Sequence, residues 1–166
     1  MTPAGGPLGA LEASGVGRAM REWLWLYPSV EVVHIAGIGL LFGSIAMLDL
    51  RLLGVSRNIS VKRLAGHVLP WSAASFLLIV PSGLLMFTAH ASEFVDSGVF
   101  VLKMLLIMAA GLNAALFHAI TFRTADVWDS EEMRALPPPP SARIAAAASL
   151  ALWISVIACG RLLAYF

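Results

Sequence analysis

The 166-residue chain is 59% hydrophobic and only 13% charged, with a mean hydropathy of +0.84. A soluble domain carries about 45–50% apolar and about 25% charged residues, so composition excludes an ordinary soluble domain and points to an integral membrane protein. The net charge of +1 without a clustered basic face excludes nucleic acid as a partner, and a single cysteine, Cys159, excludes an internal disulfide and a cysteine-based metal cluster.

In chain order, residues 1–17 are rich in Gly, Ala and Pro and read as a flexible tail. They lack the apolar core of a secretory signal peptide. Arg18–Tyr27 set Trp23, Trp25 and Tyr27 beside Arg18 and Arg21, a composition suited to the headgroup layer. Pro28 is expected to separate this segment from the first span. Residues 1–28 thus form a tail and interfacial segment, and residues 29–166 a four-span domain.

A bilayer core of about 30 Å takes about 20 helical residues to cross. Four segments meet that length: about 29–50, 64–90, 99–122 and 144–166. The second carries no Lys, Arg, Asp or Glu, the third only Lys103 and the fourth only Arg161. Lipid offers no partner to free backbone groups, so each span is a helix. The predicted fold is an all-α integral membrane four-helix bundle, with no evident internal repeat.

The first loop carries Arg51, Arg57, Lys62 and Arg63, and the third carries Arg123, Arg134 and Arg143. The loop after His90 has Glu93 and Asp96 and no base. The positive-inside rule places the two basic loops in the cytoplasm, with both termini and the acidic loop outside. Arg18 and Arg21 oppose this and are outnumbered. Pro137–Pro140 reads as a stiff spacer, and Asp126, Asp129, Glu131 and Glu132 as a solvated face. Asp49 and Arg51 read as a local pair closing the first helix.

The histidines carry the functional signal. His34 lies five residues into the first span, about 7.5 Å below the outer surface, and His90 ends the second. His67 lies about 6 Å and His118 about 7.5 Å from the inner surface. They sort into an outer pair, His34 with His90, and an inner pair, His67 with His118, each drawing on two helices. Ionisable residues inside a membrane are functional candidates, and neutral imidazole is a common axial ligand of haem iron. Two such ligands on a flat macrocycle leave no open position, which suits electron transfer. Without a C-x-x-C-H motif the haem would be non-covalent, haem b, one or two per chain. On an ideal helix His67 and His90 stand about 140° apart in phase, with Pro70 and Pro81 between them to alter it.

Lys103 and Arg161 toward the outer side, and Arg63 and Arg143 toward the inner, are candidate partners for haem propionates. They also suit snorkelling interfacial anchors. Gly37, Gly39 and Gly43 would let a ring approach the backbone, Gly39–Gly43 being a G-x-x-x-G that equally suits close helix packing. Phe76, Phe87, Phe100 and Phe117 could flank a ring. Met47, Met86, Met104 and Met108 could replace a ligand, and all eight also fit plain core packing.

Two other functions compete. Glu31 and His34 share a face at i and i+3 and with His90 would make an outward copper or zinc site for transport or sensing. Against it, Glu31 also suits the dipole of a first helical turn, and Asn113, Ser72, Ser75 and Ser155 make a thin ion path. The Ala-rich fourth helix, without histidine, suits a non-catalytic anchor or assembly subunit. No hydrolase motif, H-E-x-x-H or phosphate loop is present.

The stretches WLYPSVEVVHIAGIGLLFGSIAMLDLRLLG, HVLPWSAASFLLIVPSGLLMF and FVLKMLLIMAAGLNAALFH resemble an uncharacterised bacterial four-helix membrane family over about residues 23–122. That family is similar in general shape to copper-resistance D-type membrane proteins and small transmembrane b-type cytochromes. The resemblance implies the topology and a bacterial inner (cytoplasmic) membrane, with His34 and His118 where ligands are expected. The expected function is a b-type cytochrome subunit moving electrons across the bilayer. Its partners would be other membrane or periplasmic redox subunits, a quinone or further copies of the chain.

Overall fold

The computed structural model describes residues 6–133, 136–163 and 165. Arg134 and the last residue of the fourth expected span, Phe166, lie outside the described residues. Within them the fold is all-α. Two short helices, α1 (Pro7–Glu12) and α2 (Gly15–Glu22), precede the long α3 (Leu26–Leu52) and α4 (Val61–Ala89). A short α5 (Ala91–Asp96) leads into α6 (Gly98–Leu116). The chain continues through a π turn (Phe117–Thr121) and a 3-10 turn (Phe122–Thr124) into α7 (Ala125–Trp128), and α8 (Pro140–Leu162) follows. Four helical stretches, Leu26–Leu52, Val61–Ala89, Gly98–Trp128 and Pro140–Leu162, are long and apolar enough to cross a membrane. Their outer faces expose large apolar side chains such as Trp71, Leu77, Leu105, Met108, Leu112 and Ile144, as helices surrounded by lipid do. This is a multi-pass membrane protein.

Local chemistry sets the helix ends. Pro28 does not break the first span, because a proline in the first turn removes only an N–H that has no helical partner. Helix α3 therefore starts at Leu26. Ser60 caps α4, its Oγ accepting from Arg63 N at 3.3 Å. Pro140 opens α8 in the same permitted position. Pro70 and Pro81 sit inside an unbroken α4. Each removes one i→i−4 bond, freeing the carbonyls of Gly66 and Leu77.

The helices pack in the order α4, α3, α8, α6, with α3–α4 the most extensive seam. Gly37 makes that seam close. A Cβ there would lie 2.8 Å from Ile79 Cγ1 and 3.1 Å from Leu78 Cβ. Gly39 and Gly43 face open space, so the G-x-x-x-G expectation falls on the wrong face and Gly37 alone does the packing. With Gly37 opposite Ile79 and His34 opposite Ser82, antiparallel register brings Ser44 level with Ser72 and Leu48 level with Val68.

Helices α4 and α6 are joined mainly near their ends. At the α5 end, Phe87, Phe94 and Phe100 stack with centroids 5.5–6.2 Å apart. At the opposite end, Phe117 enters the apolar cluster of Leu48, Leu52, Val61, Ala65 and Ala146.

The N-terminal segment is built rather than loose from residue 7 to 22. Gly17 lies so close to α4 that a Cβ would meet Thr88 O at 2.8 Å. Arg21 Nη1 donates to Ala89 O at 2.9 Å and Nη2 to Glu12 O at 2.8 Å, while Ser92 N donates to Glu12 Oε1 at 2.7 Å. The free carbonyls and N–H groups where α4 ends and α5 begins supply the anchor points.

The basic loops are also more structured than a solvated face. Arg51 and Asp129 are buried and paired at 3.5 Å. Asp129 Oδ2 accepts from Ser60 Oγ at 2.7 Å and from Lys62 N at 3.1 Å, at the N-terminus of α4. Arg51 Nε donates to Ile59 O and Nη2 to Arg57 O. The expected Asp49–Arg51 end pair gives way to this arrangement, and Asp49 turns instead to Ser149 of α8. Asp126 keeps the expected exposed position and pairs with Lys62.

Candidate functional site

His34 is the histidine set most deeply into a helix–helix seam. Its Nδ1 lies 2.9 Å from Ser82 Oγ and 3.1 Å from Ile79 O, both on α4. The Ser82 hydroxyl donates to Leu78 O and Ile79 O. With that proton committed, Nδ1 must be the donor, and the Nε2 lone pair is left available. Gly83 makes room for the ring, since a Cβ there would meet His34 Cε1 at 3.1 Å.

The same tautomer recurs at the other end. His67 Nδ1 faces Arg63 O at 3.2 Å, and His118 Nδ1 faces Ala114 O at 2.9 Å. A carbonyl only accepts, so both rings carry the Nδ1 proton and present Nε2. His118 sits in the π turn after α6, with Phe117 and Phe122 each 5.3 Å from its ring. His67 is exposed and lies off the buried stripe of Val61, Ala65, Val68 and Ser72.

His90 differs. It forms the corner between α4 and α5, its Nδ1 3.2 Å from Glu93 Oε2 and its ring edge-on to Tyr27 at 6.3 Å. It stands eight residues beyond Ser82 along α4, about 12 Å at the helical rise. His34 therefore bonds the helix that carries His90, well below it, and the two do not face one another across a slot. No hydrogen bond or ring contact joins His67 to His118. His34 and His90 lie toward the α5 end of the bundle and His67 and His118 toward the other, and no hydrogen bond or ring contact joins the two rings of either expected pair.

Among the candidate cations, Lys103 is the one whose charge acts on His34. It is half-buried, with Nζ 3.5 Å from where a Cβ on Gly160 would stand, and it is within electrostatic reach of His34 and Cys159. Arg161 is exposed and turned to Tyr165, its Nη2 2.7 Å from the phenol oxygen and its guanidinium 4.9 Å over the ring. Arg63 is exposed, and Arg143 lines a shallow groove with Leu53, Pro140, Ile144 and Ala147. Met47, Met104, Met108 and Phe76 are exposed. Glu31 is exposed and makes no hydrogen bond to His34, although it stands within electrostatic reach. No group of three or more His, Cys, Asp or Glu side chains gathers among the described residues.

Sequence reasoning missed Asp49. It is only 6% exposed, and its Oδ2 has no hydrogen-bond partner among the described residues. The available signal was its place in LDLRL, one residue past Leu48 on the buried stripe.

The family of unknown function DUF6644 matches residues 12–166. The chain belongs to that family. No curated protein and no solved structure matches it. The DUF6644 match agrees with the resemblance to an uncharacterised family and gives no link to copper-resistance D-type proteins or b-type cytochromes.

Proposed function

We propose that this DUF6644 protein is a membrane electron-transfer subunit that binds haem b through histidine. The observation that carries the reading is the tautomer at His34, His67 and His118. In each, Nδ1 is spent on a carbonyl and Nε2 is presented, the arrangement that a histidine ligand to a metal requires. The absence of a three-ligand cluster among the described residues favours haem over copper or zinc. Haem brings four ring nitrogens of its own and needs one or two protein ligands, whereas a zinc site built from protein donors takes three or four.

His34 is the principal ligand in this reading, held by Ser82 and given room by Gly83. Lys103 is the cation best placed to meet a propionate beside it, while Arg161, Arg63 and Arg143 are interfacial. His67 and His118 present Nε2 outward, so a second haem there would draw on a neighbouring copy or a redox partner subunit. Bound haem supplies one-electron redox chemistry. The chain's own residues orient the imidazoles and exclude water. The basic loops at 51–63 and 123–143 put that end in the bacterial cytoplasm by the positive-inside rule, with both termini outside. A quinone or a periplasmic redox protein is the expected exchange partner.

The test is an optical spectrum of purified protein, oxidised and then dithionite-reduced, for the wild type and the single histidine variants. A Soret band lost in His34→Ala and kept in His90→Ala is the expected result. A colourless, metal-free protein would overturn the reading in favour of an anchor or assembly subunit. Stoichiometric copper without iron would overturn it in favour of metal transport.

A further inference from the structure

A carboxyl group buried in a spanning helix is costly when ionised, unless a cation or several donors face it. Among the described residues no cation and no set of several donors faces Asp49. It lies three residues before the end of α3, about 4.5 Å in from that end, and is 6% exposed. Its hydrogen-bonding neighbour is the hydroxyl of Ser149 on α8, and Oδ2 has no partner among the described residues.

The described charged groups of the surrounding elements are directed elsewhere. On α3 itself, Arg51 bonds Asp129, Ile59 O and Arg57 O. On α4, Lys62 pairs with Asp126, while Arg63 and His67 are exposed. On α8, Arg143 is exposed one and a half turns away. A metal cation would need several oxygen ligands, and Ser149 supplies one. A proton needs only Oδ2.

Beyond Asp49 the same seam holds further buried polar groups. Ser44 stands level with Ser72, whose Oγ is buried and has no hydrogen-bond partner among the described residues. Ser75, fully buried, donates to Ser72 O at 2.6 Å. Ser82, bonded to His34, ends the row. The hydroxyls follow the stripe at intervals of three to seven residues and run from Asp49 to the His34 ring.

We propose that Asp49 is a proton-binding site, loaded from the Asp129 end of the bundle, with its proton on Oδ2 and Ser149 on the other oxygen, at the foot of a buried hydroxyl row leading to His34. The step is the protonation of one carboxylate by water-borne protons, and nothing is oxidised or reduced. The site stands whether or not His34 holds haem, and its test does not read haem.

The experiment is infrared spectroscopy of the full-length protein in lipid nanodiscs. At neutral pH the wild type should show a carboxylic-acid C=O band above amide I that shifts in D2O and fades at alkaline pH. Asp49→Asn should remove that band, and Asp49→Glu should retain one. Ser149→Ala should raise its frequency by removing the hydrogen bond, which keeps the test open if Asp49→Asn does not fold. Absence of the band in the wild type at neutral pH, or a band unchanged by both Asp49→Asn and Ser149→Ala, would overturn the proposal.

Discussion

Arg51 at the end of α3 and Asp129 after α7 form an ion pair of 3.5 Å with both side chains almost wholly inside the protein, at 4% and 2% exposure. The pair ties the first loop to the third, because Asp129 also holds the N-terminus of α4 through Ser60 and Lys62 N. Removing one partner takes the ion pair from the other buried charge, a loss of about 3–5 kcal/mol for a buried pair. Arg51→Ala and Asp129→Ala should each lower stability by that order in a denaturant titration in detergent. Arg51→Met with Asp129→Leu should cost much less than the two single losses added. Additive losses would show that the charges act separately.

The α3–α4 seam makes a sharper distinction among glycines. At Gly37 a methyl group would come within 2.8 Å of Ile79 and 3.1 Å of Leu78 Cβ, and the second contact is close to backbone and cannot swing away. Overpacking of this kind costs about 1–3 kcal/mol. Gly39→Ala and Gly43→Ala meet nothing within 4 Å and should stay within about 0.5 kcal/mol of the wild type. Thermal denaturation of the three single variants ranks them. Equal losses at all three positions would contradict the seam described above.

The four spans were legible because hydropathy is a sum over some twenty residues, and one misplaced residue hardly changes it. The ends were less so. Pro28 reads as a stop only if its position in the helix is ignored, and a first-turn proline stops nothing. Position along the helices was legible and direction was not. Sequence spacing sets how far along its helix each of His34 and His67 lies, but the seam is set by Gly37, and rotation about each helix decides what a ring faces. Thus His34 points into α4 and His67 points out. Asp129 was illegible for another reason. It lies among Asp126, Glu131 and Glu132, and only the fold distinguishes the one that meets Arg51.

Glu12 links pH to the docking of the N-terminal helices. The backbone N–H of Ser92 holds its carboxyl below the ordinary 4.5, with smaller help from the Ser92 side chain and the charges of Arg21 and His90, and against a small effect of burial. A folded value below the unfolded one means that the contact stabilises docking in full above about 4.5 and loses that contribution as pH falls through the folded value. The protection of residues 7–22 against hydrogen exchange, taken relative to the intrinsic rate at each pH, should therefore fall under acid in the wild type. In Glu12→Gln that protection should be lower at neutral pH and lack the acid-dependent step. An unchanged acid profile in the variant would remove Glu12 from the account.

Orientation is the remaining relationship that a single experiment decides. Of the basic residues at the Asp129 end, Arg51 and Lys62 are paired with Asp129 and Asp126, but acidic partners contribute little to the positive-inside bias. Arg57, Arg63, Arg123 and Arg143 remain exposed there. At the other end Arg21 is bonded to Ala89 O and Glu12 O, and Arg18 and Arg161 are exposed. On the proposed orientation the 51–63 turn faces the cytoplasm and α5 the outside. Asn58 and Asp96 are exposed at opposite ends of the bundle and give suitable labelling sites in a Cys159→Ala background. An impermeant thiol reagent applied to intact cells should modify Asp96→Cys and spare Asn58→Cys until the membrane is opened. Labelling of Asn58→Cys with protection of Asp96→Cys would invert the topology, and with it the side from which protons reach Asp49.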